Sequence, residues 1–282
     1  MGIMLRFFTV LLAFFALVGP VRASDPEILV LGDSQISFGA GQVYVDFFEN
    51  LDARCNGKLS RKAKRELSDA RAVALGVRST SLHSWVAREG SAKGTICDVD
   101  RRYGVNAGAY GLNGNPKRKY VQIGRDSGVE YCAPGKSGFE GMFSRLDPSP
   151  KLLVLAFLGN AADRWAKNPN LAETDVRQTL SQIPANVPCV FMTTAPVYKK
   201  STNDLRVAAQ KNIARAFKGS RCKAIEALNP QIRAAVEGHA RFFRRNEAGK
   251  VIDPHHPSVA ATQEFVGLNT PKLCKAVSSA FK

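Results

Sequence analysis

The segment Leu29-Val30-Leu31-Gly32-Asp33-Ser34 is an apolar run that ends in a short polar turn. Continuous apolar runs, without alternation, are typical of parallel strands that are covered on both faces. Gly tolerates a positive φ, and Asp and Ser side chains bond to their own backbone, so the last three residues predict a turn. The segment therefore predicts a buried strand that presents the Ser34 hydroxyl at one end of a sheet.

Alternating strand and helix patterns continue along the chain. Apolar runs with the length of strands occur at 27–32, 70–77, 151–159, 187–194 and 222–228. Helical patterns occur at 43–51, 171–183, 204–217, 257–266 and 271–281, and each of the last two begins with Pro, which is common in a first helical turn. This alternation predicts an α/β protein, a three-layer α/β/α sandwich with a mainly parallel five-stranded sheet.

A second short motif, Asp253-Pro254-His255-His256, lies near the end of the chain. A serine hydroxyl is a weak nucleophile and needs a neutral imidazole to accept its proton and a carboxylate to orient that imidazole. Parallel sheets place their sites at the carboxyl ends of the strands, where distant residues meet. Alone, the first motif reads as a turn and the second as a loop before a helix. Together they predict Ser34 as nucleophile, His256 as base and Asp253 as orienting acid.

These motifs resemble those of the SGNH (GDSL-type) hydrolases. The resemblance covers most of the chain. The motifs near its two ends match the family pattern closely, and the motifs between them match it less closely. It implies a flavodoxin-like sandwich, serine esterase activity, and Ser34, Asp253 and His256 as the catalytic triad. It further implies an oxyanion hole near Ser79, Gly159 and Asn160. No cofactor is implied.

Three positions depart from the family pattern. Gln35 stands where the GDSL name has Leu, and Gly159 and Asn160 lack the spacer that usually separates them. Ser79 occupies the position of a donating Gly. Because a backbone N–H is available from any residue except proline, Ser79 can still supply a donor. Asn160 is the expected side-chain donor, and its alternative role is to cap the following helix.

The first 23 residues have the pattern of a secretory signal. Arg6 precedes an apolar run at 7–18, and Val21-Arg22-Ala23 resembles a cleavage site. The run is shorter than the roughly 20 residues of a membrane span. We therefore expect cleavage near Ala23, leaving 24–282 as a single exported domain, periplasmic or secreted; an uncleaved anchor is the alternative.

Six cysteines in an exported chain predict disulfides, although the sequence does not determine their connectivity. The expected pairs are Cys97 with Cys132 and Cys222 with Cys274. Cys189 lies in an apolar run and is expected to be a buried free thiol, which would leave Cys55 unpaired. The His and Cys spacings do not match a zinc site, so no metal is expected.

The chain is strongly basic, with a net charge of +16. Such a surface attracts polyanions. For an exported protein these are acidic polysaccharides, cell-wall polymers and anionic lipid headgroups, so envelope-surface association is possible. The basic residues are scattered and no nucleic-acid-binding motif occurs, so nucleic acid is not expected. A role in solubility alone is the alternative, and the oligomeric state is not indicated.

A glycine-rich insertion at about 86–145 interrupts the alternation. Residues 90–141 hold 11 of the 23 glycines, together with Tyr103, Tyr110, Tyr120 and Tyr131. Loops of this length are usually functional or disordered. We expect the insertion to fold over the strand ends and to shape a substrate groove; a surface excursion remote from the site is the alternative.

The expected function is hydrolysis of an ester, most simply an O-acetyl group on a cell-surface or secreted polysaccharide, through an acyl-enzyme. The substrate would then be an acylated anionic polysaccharide or cell-wall polymer. Two alternatives stay open. The same residues could serve a lipase, lysophospholipase or thioesterase, or the chain could be an inactive module that binds glycans or assembles the cell envelope.

Overall fold

The computed structural model describes residues 26–88, 107–115, 117, 119–121, 135–147 and 149–282. The predicted signal peptide and its cleavage site lie outside the described residues. So do Cys97 and Cys132, together with Tyr103 and Tyr131 of the insertion.

A seven-stranded sheet forms the centre of the protein, in the order β4-β3-β2-β1-β5-β6-β7. Its strands are β1 (Ile28–Gly32), β2 (Ala72–Gly76), β3 (Ala107–Tyr110), β4 (Lys119–Val121), β5 (Leu152–Ala156), β6 (Cys189–Met192) and β7 (Cys222–Ile225). Strands β2, β1, β5, β6 and β7 form one parallel block in that spatial order. Strand β3 pairs antiparallel with β2, and β4 pairs antiparallel with β3. Every residue of β1, β2 and β5 is buried, which explains their continuous apolar sequence.

Ten α-helices accompany the sheet in the described ranges. They are α1 (Gly41–Glu49), α2 (Leu51–Cys55), α3 (Arg61–Leu67), α4 (Leu82–Val86), α5 (Gly138–Phe143), α6 (Ala162–Lys167), α7 (Pro169–Gln182), α8 (Lys200–Phe217), α9 (Pro230–Val236) and α10 (Val259–Ala280). Helices α1, α2, α3 and α9 pack against α10, and α4 to α8 pack against one another. This division into two helical groups is consistent with a three-layer α/β/α arrangement.

Short irregular elements complete the fold. A π-helical turn at Ile36–Ala40 leads from the end of β1 into α1, and 3-10 turns lie at Leu112–Gly114, Gly159–Ala161 and Ala240–Phe242. A separate two-stranded sheet is formed by β8 (Phe243–Arg245) and β9 (Val251–Pro257).

The predicted count of five strands is wrong, although all five predicted strands are present and parallel. The insertion adds β3 and β4 at one edge of the sheet. Strand β3 reads Ala-Gly-Ala-Tyr and so lacks the apolar pattern of a strand. Its glycine is required by packing, because a Cβ on Gly108 would lie 2.6 Å from the Ser37 carbonyl oxygen.

The last two predicted helices are one helix. Pro257 ends β9 instead of opening a helix, and the Ser258 hydroxyl caps α10 by accepting the Ala261 N–H. Pro271 lies inside α10 and removes one backbone donor there. Apolar residues on both sides of it, including Phe265, Leu273 and Val277, are buried in the core, and this packing holds the helix together across the proline.

The predicted disulfide pairing of Cys222 with Cys274 is wrong, and so is the free thiol at Cys189. The structure joins Cys55 to Cys274 and Cys189 to Cys222. Cys189 and Cys222 are register partners on neighbouring strands β6 and β7, so the sheet places the two cysteines side by side. The first bond ties α2 to α10 across 219 residues of sequence.

Two disulfides among the described residues indicate an oxidising, extracytoplasmic compartment. None of the helices in the described ranges combines the length and the apolar character that crossing a membrane requires.

Candidate active site

The structure brings Ser34, His256 and Asp253 into one hydrogen-bonded chain. The Ser34 Oγ lies 3.0 Å from His256 Nε2. On the other side of the ring, His256 Nδ1 lies 3.0 Å from Asp253 Oδ2. The serine follows Asp33 in the turn after β1, while the acid and the histidine lie in β9. This is the geometry in which a carboxylate orients an imidazole and the imidazole accepts a serine proton.

The turn that carries Ser34 is fixed by its neighbours. A Cβ on Gly32 would meet the Ile36 side chain at 2.2 Å and the Ala156 carbonyl oxygen at 2.7 Å, so glycine is required where β1 ends. The Asp33 carboxylate accepts the N–H of Gln35 at 2.9 Å and closes the turn. Ser34 is consequently held at the rim of the sheet, half-buried, at the start of a helical segment.

The loop that carries His256 folds around its own carboxylate. Asp253 Oδ1 accepts the backbone N–H groups of His255 and His256, each at 3.2 Å. The Gln35 side chain donates to the His255 carbonyl oxygen at 3.0 Å and so links this loop to the serine turn. The exposed ring of Phe38 packs against the His256 imidazole, with 4.3 Å between ring centroids. These contacts position the base beside the nucleophile.

The environment of Asp253 favours its ionised form. Partial burial raises the pKa of this carboxyl. The hydrogen bond and charge of His256, together with the two backbone N–H groups, outweigh burial and hold the pKa below its usual range. Asp253 is therefore a carboxylate at neutral pH, as an acid that orients a histidine must be.

The residues predicted for the oxyanion hole lie near Ser34. Ser34, Ser79, Gly159, Asn160 and His256 line one cleft of about 480 Å³. Ser79 follows β2 and adopts a left-handed conformation, with φ of 60°. Asn160 follows β5, and its side chain donates to the Thr80 carbonyl oxygen at 2.7 Å. This bond connects the turn after β5 to the turn after β2. The ends of adjacent parallel strands thus supply the cleft.

Gly159 differs from its predicted role as an oxyanion donor. Its N–H is donated to Asp33 Oδ2 at 3.1 Å. A Cβ at this position would lie 3.1 Å from the same oxygen, so glycine permits the close approach. Gly159 therefore fixes the position of Asp33. It also fixes the position of Asn160, the residue after Gly159 in the chain.

A buried ionic group lies beneath the nucleophile and was not predicted. Asp33 and Arg206 are each 1% exposed. Burial raises the pKa of Asp33, against the hydrogen bond from Gln35 and the charge of Arg206, and burial lowers the pKa of Arg206 to about 10. The Arg206 guanidinium donates to the carbonyl oxygens of Thr194 and Ala195, at the end of β6. It therefore joins α8 to the rim of the cleft.

A sequence signal for Arg206 exists. In the predicted helix at 204–217 it shares the inward-facing spacing of Ala209, Ile213 and Phe217. An arginine on such a face is unusual, because a buried charge requires partners. The pattern could therefore have identified Arg206 as a buried polar residue, but not its partners.

Arg78 also contributes to the cleft and was not predicted. Its guanidinium lies over the Phe38 ring, 4.2 Å from the centroid, a cation–π contact. Phe38 in turn contacts His256, so a positive charge lies close to the proposed base. In the sequence, Arg78 lies directly before Ser79, a predicted oxyanion-hole residue, and this position was the signal that could have identified it.

The insertion contributes support but no cleft aromatic among its described side chains. Tyr110 is 2% exposed, and its hydroxyl donates to the Ser37 carbonyl oxygen at 2.9 Å, behind the serine turn. Tyr110 therefore does not line the cleft, because its ring is buried. Among the described residues, no group of three or more His, Cys, Asp or Glu side chains is placed to hold a metal ion.

Comparison with known proteins yields distant structural likenesses. No family model and no curated protein sequence matches the chain. A DUF4886 family protein from Bacteroides uniformis superposes with a TM-score of 0.49 at 9% identity, over 90% of this chain and 83% of the other. A protein from Streptococcus pneumonia, provisionally described as a platelet activating factor, gives a TM-score of 0.38 at 12% identity, over 90% and 86%. At these TM-scores neither likeness supports a conclusion about activity.

Proposed function

We propose that this protein is a serine esterase of the SGNH (GDSL-type) class that works through an acyl-enzyme. One observation carries the proposal, the continuous hydrogen-bonded chain from Ser34 through His256 to Asp253. A turn or a loop needs no such chain. A nucleophile that must lose a proton at neutral pH does need it.

The reaction proceeds in two halves. In the first, Ser34 Oγ attacks the ester carbonyl carbon while His256 Nε2 takes the hydroxyl proton. The tetrahedral intermediate collapses as His256 returns that proton to the leaving alcohol, and an acyl-serine remains. In the second, water attacks the acyl-serine and gives a proton to His256, which then returns a proton to Ser34 Oγ as the acid leaves.

The developing oxyanion requires donors in the cleft. The Asn160 amide and the backbone N–H groups of Ser34 and Ser79 are the proposed donors, because all three residues line the cleft. One of the two amide hydrogens of Asn160 is used by the Thr80 carbonyl oxygen, and this bond fixes the orientation of the side chain. A donor held in advance stabilises the transition state without a reorganisation cost.

The proposed substrate is an O-acetylated acidic polysaccharide or cell-wall polymer outside the cytoplasm. The disulfides support the compartment. The net charge of +16 and Arg78 near His256 support an anionic substrate. A small acyl group fits a cleft that is lined largely by polar residues, including Arg78, Asn160 and His256.

Steady-state hydrolysis of a chromogenic ester series tests this function. We expect p-nitrophenyl acetate to be hydrolysed with a higher kcat/KM than the octanoate ester, and Ser34→Ala to lose at least about 10³-fold in kcat. Preference for the long chain would instead support a lipase or lysophospholipase. No turnover of any ester, including acetylated pectin, would support an inactive binding module.

A further inference from the structure

A second cavity lies at the opposite edge of the sheet from β4. It has a volume of about 810 Å³ and is lined by α8, strand β7 and α10. We call it the β7 groove. No residue lines both this groove and the proposed catalytic cleft. Strand β7 is the last strand of the sheet order, so the groove runs along a sheet edge.

The β7 groove is strongly positive. Six cationic side chains line it against the single acid Glu226; they are Lys211, Arg215, Lys218, Lys223, Lys272 and Lys275. Some exposed cations elsewhere in the described chain are paired, as Lys64 is with Asp52 and Lys167 with Asp163. None of the six groove cations forms an ion pair with a described acid.

This concentration of charge is unfavourable without a ligand. Lys211 and Arg215 are four residues apart on α8, and Lys272 and Lys275 are three apart on α10. Like charges at such spacings destabilise a helix, each pair by roughly 0.2–0.5 kcal/mol. The two helices place these pairs around one groove, and a bound polyanion would relieve the repulsion. We propose that the β7 groove binds an acidic polysaccharide chain.

A peptide strand is disfavoured as the occupant. The Cys222 carbonyl oxygen accepts the Ser220 hydroxyl at 3.0 Å, and the Glu226 carbonyl oxygen accepts Lys272 Nζ at 2.8 Å. The acceptor at the start of β7 and the acceptor directly after its end are therefore both occupied, and the strand also carries Lys223. Lysines on an edge strand and short edge strands are devices that prevent strand addition, and an acceptor that already holds a hydrogen bond is less available to an added strand.

Nucleic acid is also disfavoured. The aromatic side chain in the groove, Phe217, is 2% exposed and offers no stacking surface to a base. Five of the six cations are lysines, whose charges sit on flexible side chains that can reach anionic groups at varied spacings. The oxidising compartment indicated by the disulfides is one in which such polymers occur. The groove would hold the protein on a polymer independently of catalysis.

Binding of unesterified polygalacturonate tests the proposal, because this probe has no ester to hydrolyse. The groove variant carries Lys211→Glu, Lys218→Glu and Lys275→Glu. The control variant carries Lys62→Glu, Lys136→Glu and Arg177→Glu, at exposed positions elsewhere, and changes the net charge equally. Isothermal titration calorimetry at low salt should show affinity falling about tenfold or more in the groove variant and about twofold or less in the control. Wild-type binding should weaken steeply with added salt.

Three results would overturn the proposal. They are an absence of wild-type binding to polygalacturonate, equal losses in the two variants, and tighter wild-type binding to poly-glutamate or single-stranded DNA than to polygalacturonate. Thermal unfolding confirms that each variant is folded. If the charge-reversal variant does not fold, the triple Lys→Gln variant at the same three positions replaces it, with an expected loss of about threefold or more.

Discussion

The N–H of Gly159 donates to Asp33 Oδ2 across 3.1 Å, which joins the residue before the proposed nucleophile to the residue before the proposed oxyanion donor. Asp33 follows β1 and Gly159 follows β5, so one buried carboxylate aligns the ends of two adjacent strands. The same carboxylate accepts the Gln35 N–H and closes the serine turn. The relative placement of Ser34 and Asn160 therefore depends on Asp33, a residue that performs no chemistry itself.

The raised pKa of Asp33 predicts a pH dependence of stability. Its folded-state pKa lies above the ordinary value of 3.8, mainly because of burial. Between those two values the folded state binds more protons than the unfolded state, so the unfavourable contribution of this carboxyl fades as the pH falls. The unfolding free energy of the wild type minus that of Asp33→Asn should thus increase from pH 7 to pH 4. Each unit by which the folded-state pKa exceeds the ordinary value adds about 1.4 kcal/mol to this increase in the unfolding free-energy difference.

Urea denaturation of both proteins across this range measures the difference. All other carboxyl groups are shared, so they cancel to first order. A difference that stays constant, or that decreases towards pH 4, would show that the Asp33 pKa is not raised in the folded protein.

His256 and His255 are adjacent residues with different expected roles. His256→Ala removes the proposed base and should lower kcat by at least about 10³-fold. The exposed His255 side chain can be removed with little loss, because its contact with Gln35 uses the backbone carbonyl oxygen. Initial rates on p-nitrophenyl acetate compare the two. Equal losses, or a larger loss in His255→Ala, would remove His256 from the mechanism.

Asn160→Ala tests the proposed side-chain donor. Loss of one such donor costs about 2.7–4 kcal/mol of barrier, so kcat should fall roughly 100- to 1000-fold with KM little changed. Asn212→Ala is a matched control, since its amide likewise donates to a backbone carbonyl oxygen, that of Trp165 at 2.8 Å, outside the cleft. If the two variants lose stability alike and keep the same kcat, Asn160 acts only as a structural residue.

Arg78→Gln tests charge recognition beside the base. An exposed ion pair is worth about 0.2–1 kcal/mol, so KM for an acetylated acidic polysaccharide should rise up to about fivefold. KM for neutral p-nitrophenyl acetate should stay within about twofold of the wild type, and Arg177→Gln should change neither. A rise in KM of the same size on both substrates would indicate a damaged cleft instead of a lost charge contact.

Several features of the fold were predictable because they depend on local sequence. The five parallel strands are short apolar runs, and burial on both faces accounts for that pattern. Ser34 and the Asp253–His256 pair were predictable as candidates because each belongs to a short motif with the residue types that a catalytic triad requires. Their meeting in space is a property of the sheet order, which the structure supplies.

Other features depend on contacts between distant residues. Strand β3 lacks an apolar pattern because Gly108 must approach the serine turn, so its sequence does not indicate a strand. Helix α10 continues past Pro271 because tertiary packing outweighs the missing donor. The pairing of Cys189 with Cys222 follows from strand register. Likewise, the partners of Arg206 lie on the loop after β6 and become apparent only once the chain is folded.

Labelling with a fluorophosphonate probe, followed by peptide mass spectrometry, tests the reactive serine most directly. The proposed mechanism predicts one adduct on the peptide containing Ser34, no adduct in Ser34→Ala, and labelling slowed by at least about 10³-fold in His256→Ala. An unlabelled wild type, or an adduct that persists at the same rate in Ser34→Ala, would contradict the proposal that His256 activates Ser34.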